Sequence, residues 1–136
     1  MTLQEIKKLF FAYRNGVVAD TLRRSGMSYD MIFGCDIPTL SSIARKIGFD
    51  ERLAEELWND CGVRESRLLA TYLFDPSNTD MEKAIRMASE VRTREEADLL
   101  TFRLLKRLPY ARELAERINQ SPTCLLTAKS LSNHLS

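Results

Sequence analysis

The segment from Ile37 to Pro76, IPTLSSIARKIGFDERLAEELWNDCGVRESRLLATYLFDP, constrains the fold more than any other part of the chain. It reads as two amphipathic helices and the start of a third, joined by short polar turns. Leu53, Ala54, Leu57 and Trp58 recur at helical spacing and make one apolar stripe, and Asp50 is suited to cap the helix that carries them. A single hairpin of this kind cannot bury its own apolar face. Neighbouring hairpins must therefore stack, which is the logic of a helical repeat.

Other helix starts carry local signals. Thr2 with Glu5, Thr79 with Glu82 and Thr93 with Glu96 fit the capping-box spacing, in which hydroxyl and carboxylate satisfy orphan amides reciprocally. Pro38 and Pro122 suit a first helical turn, where proline lacks only an amide that would be unpaired anyway. Ala84, Ile85, Ala88 and Val91 form one stripe, and Leu99, Leu100, Phe102 and Leu105 another. Leu108-Pro109 breaks the latter helix before PYARELAERI, and a last helix runs through LLTAKSLSNHL. The pattern predicts about nine helices and no strand, with the stretch SGMSYDMIFGCDIP as the longest irregular segment and room there for a short helix. Arg67-Leu68-Leu69 recurs as Arg103-Leu104-Leu105, each expected in the second helix of a pair, which favours a solenoid over a closed bundle.

Composition narrows the function. A chain of 136 residues with 44% hydrophobic and 29% charged residues is expected to form one domain, residues 1–136, with a real core. Its net charge of +1 builds in no general attraction to nucleic acid, so DNA binding requires the Lys and Arg residues to gather on one face. Cys35, Cys61 and Cys124 are widely spaced with no C-x-x-C pair, and His134 is the single histidine. That argues against a disulfide framework and against a metal centre of thiolates or histidines, and no cofactor is expected. No apolar run approaches a membrane span, and MTLQEIKKLFF reads as an amphipathic helix, not a signal peptide. The expected location is the cytoplasm.

Three blocks resemble the HEAT-like repeat DNA alkylation-repair family, whose characterised members are alkylpurine DNA glycosylases. They are MIFGCDIPTLSSIARKIG (Met31 to Gly48), LAEELWNDCGVRESRLLATYLFDP (Leu53 to Pro76) and TREEADLL (Thr93 to Leu100). Together the resemblance covers most of residues 1–118. It implies an all-α fold, an α-α superhelix (solenoid) of HEAT-like helical hairpin repeats, right-handed, with Leu53, Leu57, Leu68, Leu69, Ile85, Leu100 and Leu104 in the core. It also implies a chain that is short or truncated, ending before the repeat that supplies the family's second aromatic residue.

The third block is similar to the family's Trp-x-x-x-Asp, in which Asp is the catalytic carboxylate and Trp packs against the lesion nucleotide. The match places Asp98 at the carboxylate and Arg94 where the Trp stands. Excision of an N3- or N7-alkylated purine asks for little more than one fixed carboxylate. The base already carries positive charge and leaves readily, while the carboxylate stabilises the oxocarbenium-like sugar or orients a water. The plainer alternative makes Asp98 an exposed helix residue, favoured by the helix dipole or paired with Arg94 one turn away. Trp58, Tyr72 and Phe74 are expected to pack in the core, and Glu65 with Arg67 to form an exposed helix pair. Arg64, Arg67, Arg94, Arg103, Lys106 and Arg107 are the candidate phosphate contacts, gathered on a concave face. Two functions stay open: a DNA alkylation-repair-like protein that binds duplex DNA, with Asp98 as its carboxylate, or a non-catalytic HEAT-like module for a protein partner or non-specific DNA.

Overall fold

Asp36, Asp50, Asp80, Thr2 and Thr93 each turn a side-chain oxygen onto a free amide of the helix that follows, so the helix starts are fixed locally. The computed structural model describes residues 1–135. Among these residues nine α-helices follow one another: α1 (Leu3–Ala12), α2 (Gly16–Arg24), α3 (Ile37–Ile47), α4 (Glu51–Asn59), α5 (Arg64–Leu73), α6 (Met81–Glu90), α7 (Arg94–Arg103), α8 (Ala111–Asn119) and α9 (Leu125–Leu135). Short 3₁₀ turns occupy Pro76–Asn78, Leu105–Arg107 and Pro122–Cys124. Among the described residues there is no strand, only one isolated parallel bridge between Met31 and Val63. The irregular stretch before α3 holds no helix.

The chain divides into two compact units, Met1–Leu73 and the part from Phe74 onward. In the first, α5 is the central element and packs against α3 and α4. Nine of its ten residues are buried, including Arg64, Glu65, Ser66 and Arg67 at its N-terminal end. The exposed pair expected of Glu65 and Arg67 is therefore corrected. A helix enclosed on all sides must satisfy its charged residues internally.

Glu65 does so with the backbone. Its Oε1 accepts the amide of Phe33 at 3.0 Å, and its Oε2 accepts those of Gly34 at 3.0 Å and Cys35 at 3.3 Å. Arg64 Nη1 donates to Glu65 Oε2 at 2.7 Å and to the Cys35 carbonyl at 3.0 Å. Gly34 is required in this loop. Its φ is +86°, and a Cβ there would meet the Asn15 carbonyl oxygen at 2.1 Å. Arg67 donates from Nε to the Trp58 carbonyl at 2.6 Å, with its guanidinium 4.0 Å from the centroid of the buried Trp58 ring. Cys35 lies in the same loop, and its Sγ donates to the Phe10 carbonyl at 3.4 Å. Burial, reinforced by the Glu65 carboxylate, pushes this thiol up to about 12.

In the second unit, α7 packs against α9, and α6 and α8 also contact α9. Thr127 ties α9 to α6 by donating to the Ala88 carbonyl at 2.9 Å. Asp80, not Thr79, caps α6, accepting the Lys83 amide at 2.8 Å. Thr79 is buried instead, and its carbonyl accepts the Tyr110 hydroxyl. The apolar stripes are rotated from those expected. On α6 the buried residues are Ala84, Met87 and Ala88, with Ile85 half-buried. On α7 they are Glu96, Ala97, Leu100 and Thr101, while Phe102 is exposed. Leu104 leaves the helical path at φ −127°, ψ −63°, so Arg103 ends α7 whereas Arg67 lies in the first turn of α5. The two Arg-Leu-Leu triplets thus occupy different places in their helices.

Two outcomes follow for the first unit. Glu65→Ala leaves three amides and a buried guanidinium without their anion and should cost about 3–5 kcal/mol, read as a lower urea midpoint at unchanged slope. The Cys35 thiol binds its proton more tightly folded than unfolded. The stability it contributes is full below its ordinary value of 9.0 and is lost as pH rises from there toward about 12. Cys35→Ala should remove that part of the alkaline loss, measured by urea unfolding across the same range.

Candidate functional site

Asp98 lies in the middle of α7, whose start is fixed by Thr93 accepting the Glu96 amide at 3.1 Å and by Glu96 Oε1 accepting the Arg92 amide at 3.1 Å. With Glu96 and Ala97 turned into the core, helical spacing sends Arg94, Asp98 and Phe102 to the other side, one turn apart. All three are exposed. They line an open groove of about 400 Å³, whose opposite wall is α9, with Ser130, Asn133 and His134. A smaller recess beside it adds Leu126 and Lys129.

The carboxylate is held from across the groove. Ser130 Oγ donates to Asp98 Oδ1 at 2.7 Å, and Ser130 is itself buried. Among the described residues Oδ2 receives no hydrogen bond, and no ion pair joins Asp98 to Arg94, so the pairing set out as the plainer alternative is not made. Phe102 and His134 place their rings 6.1 Å apart at 58°. Lys106 Nζ stands 4.0 Å from the Phe102 centroid and the Arg103 guanidinium 5.3 Å. The site therefore combines one fixed acid, two rings and several cations.

The candidate phosphate contacts separate into two groups. Arg94 and Arg107 are exposed, and Arg103 and Lys106 are half-buried beside Phe102. Arg64 and Arg67 are only 3% and 5% exposed, and their donors serve Cys35, Glu65 and Trp58. A guanidinium so enclosed presents no face to a phosphate, and these two are corrected to structural roles. Ser130, Lys129 and His134 belong to the groove but lie on α9, and no local spacing ties them to Asp98. A further recess of about 150 Å³ between α1 and α3, with Leu9, Tyr13, Ser42 and Lys46 in its wall, contains no acid. Among the described residues no cluster of three or more His, Cys, Asp or Glu side chains converges.

No protein-family model matches the chain, and no curated protein matches its sequence. A solved structure matches with a TM-score of 0.84 over 97% of this chain at 18% identity, described as a new family of proteins related to the HEAT-like repeat DNA glycosylases with affinity for branched DNA structures. The chain has a HEAT-like repeat fold. It spans 56% of that protein's length. The expected all-α architecture of HEAT-like helical hairpins is thus borne out, with the second unit of this fold carrying the groove around Asp98. No described helix is long and apolar enough to cross a membrane.

A double-mutant cycle checks the clasp between α7 and α9. Asp98→Ala and Ser130→Ala should show a coupling of about 0.5–1 kcal/mol in urea unfolding, as for a charged hydrogen bond near solvent. A coupling near zero would mean that Ser130 does not hold the carboxylate.

Proposed function

We propose that this chain binds DNA through the face of its second unit that α7 and α9 share, with Asp98 as the carboxylate of a base-excising site. The observation that carries the proposal is the groove itself, which a hydroxyl-held carboxylate lines together with two rings and Arg94, with Lys129 in the adjoining recess. The HEAT-like fold supports it, because the matching protein is described as related to DNA glycosylases and as having affinity for branched DNA.

The chemistry asks little of the protein. An N3- or N7-alkylated purine is cationic and departs without a general acid. As the glycosidic bond lengthens, the sugar acquires positive charge, which the free Oδ2 of Asp98 stabilises or meets by orienting a water. Ser130 keeps Oδ1 engaged, so the carboxylate is already oriented before the sugar arrives. Arg94, Arg103, Lys106 and Arg107 hold phosphates on either side.

A second reading, a HEAT-like module that binds without catalysis, is favoured by one specific feature: Arg94 occupies the position where the resembling glycosylases carry a Trp. Its partner is DNA of no particular sequence or another protein.

Two measurements separate these readings. Affinity for a labelled duplex should fall steeply with salt, and Arg94→Ala with Arg107→Ala should lessen the log–log salt slope by about 2. A salt-insensitive interaction would defeat the DNA reading. Release of free base from a duplex containing N7-methylguanine should drop on the order of 100-fold in Asp98→Asn. Binding without release would remove the excision step and keep the binding module.

A further inference from the structure

We infer that Phe102 is a stacking platform for an unpaired nucleobase, so that this face takes DNA with single-stranded segments in preference to uninterrupted duplex. The inference rests on the DNA-binding reading and names the form of DNA. Phe102 is 41% exposed although α7 has buried positions on its other side, so this ring is left in water at some cost. It stands one turn beyond Asp98 and two beyond Arg94, in line with both along the groove.

What surrounds the ring suits a nucleotide. Lys106 Nζ lies over the ring 4.0 Å from its centroid and the Arg103 guanidinium 5.3 Å from it, so cations stand at the ring itself, within reach of the phosphates of a nucleotide stacked on the face they leave open. Tilted at 58°, the His134 ring at 6.1 Å supplies a second aromatic surface on the other wall. Among the described residues Asp98 is the one acid lining the groove and its adjoining recess, against Arg94 and Lys129. An apolar protein partner would meet a largely cationic rim, whereas a nucleic-acid strand brings the opposite charge and a flat ring together.

Paired bases offer no free faces, because each is already stacked on its neighbours. A base in a gap or at a branch point has a face to give, and every base has one, so the platform needs no sequence preference. Stacking of this kind also costs nothing in unpairing, in contrast to extrusion of a base from duplex.

The test uses the whole chain and 2-aminopurine placed once in a single-stranded gap and once in the matching full duplex. Wild type and Phe102→Tyr should quench the gap probe on binding. Phe102→Leu, which keeps the apolar packing without the π face, should leave it unquenched and lose about tenfold in affinity for the gapped DNA, with duplex affinity changed less than twofold. Circular dichroism and thermal unfolding confirm that both variants fold. Equal quenching and equal gap affinity in Phe102→Leu would overturn the platform while leaving DNA binding intact. An equal loss for gapped and duplex DNA would also overturn it, showing that Phe102 supports the face without reading unpaired bases. Absence of binding to either DNA by the wild type would overturn the DNA reading together with this inference.

Discussion

Glu65 holds no water-facing surface, and the first unit is arranged around that fact. A carboxylate removed from water costs several kcal/mol unless its lone pairs are filled. Here the Phe33, Gly34 and Cys35 amides and one guanidinium fill them. The loop is thereby fixed to the N-terminal end of α5, where the helix dipole also favours an anion. Every further contact of that loop inherits the constraint. Gly34 must stay free of a Cβ because Asn15, whose own side chain caps α2, approaches it from the other side. Cys35 is held against Phe10 of α1, and Met31 is bonded to the backbone just before α5.

The second unit uses a related device. Glu96 is also fully buried in the first turn of its helix, and it accepts the Arg92 amide. The consequence differs because of the helix it serves. α5 is enclosed on nearly all sides, whereas α7 is enclosed on one. Pinning Glu96, Ala97 and Leu100 inward leaves Arg94, Asp98 and Phe102 facing outward by helical periodicity alone. The same anchoring that stabilises the helix thus sets the direction of its exposed groups. Ser130 then fixes one of them, Asp98, by a hydrogen bond from α9.

Helix boundaries were largely legible in the sequence because caps are local. Asp50, Thr2 and Thr93 lie within three residues of the amides they satisfy, and Asp80 displaced Thr79 by a single position. Which way each helix faces was less legible. α7 mixes Ala, Thr and Glu into its buried side, so counting Leu and Phe turned the stripe toward Phe102. Arg64, Glu65 and Arg67 looked like surface charges since residue type says nothing about an amide loop some thirty positions away in the chain. For the candidate site, Asp98 was reached through a motif, but Ser130, Lys129 and His134 were not. They meet Asp98 only because α9 packs on α7, and that packing leaves no trace in local spacing.

On the proposed DNA reading, Arg94 decides what the groove favours. A Trp at that position would present an apolar face to a base, while a guanidinium presents charge and a planar set of donors. An alkylated purine is itself cationic, so Arg94 opposes it by like charge, and Asp98 must supply all of the compensating attraction. A phosphate gains from Arg94 directly, in bidentate geometry if it approaches in the guanidinium plane. On that reading, Arg in place of the resembling glycosylases' Trp would move binding energy from the base to the backbone. With Lys106 and Arg103 drawn to the Phe102 ring, the same shift extends along the helix. On the proposed reading the Phe102 ring would offer the base-facing contact that an Arg at position 94 does not, one turn past the carboxylate and open to bases that carry no positive charge.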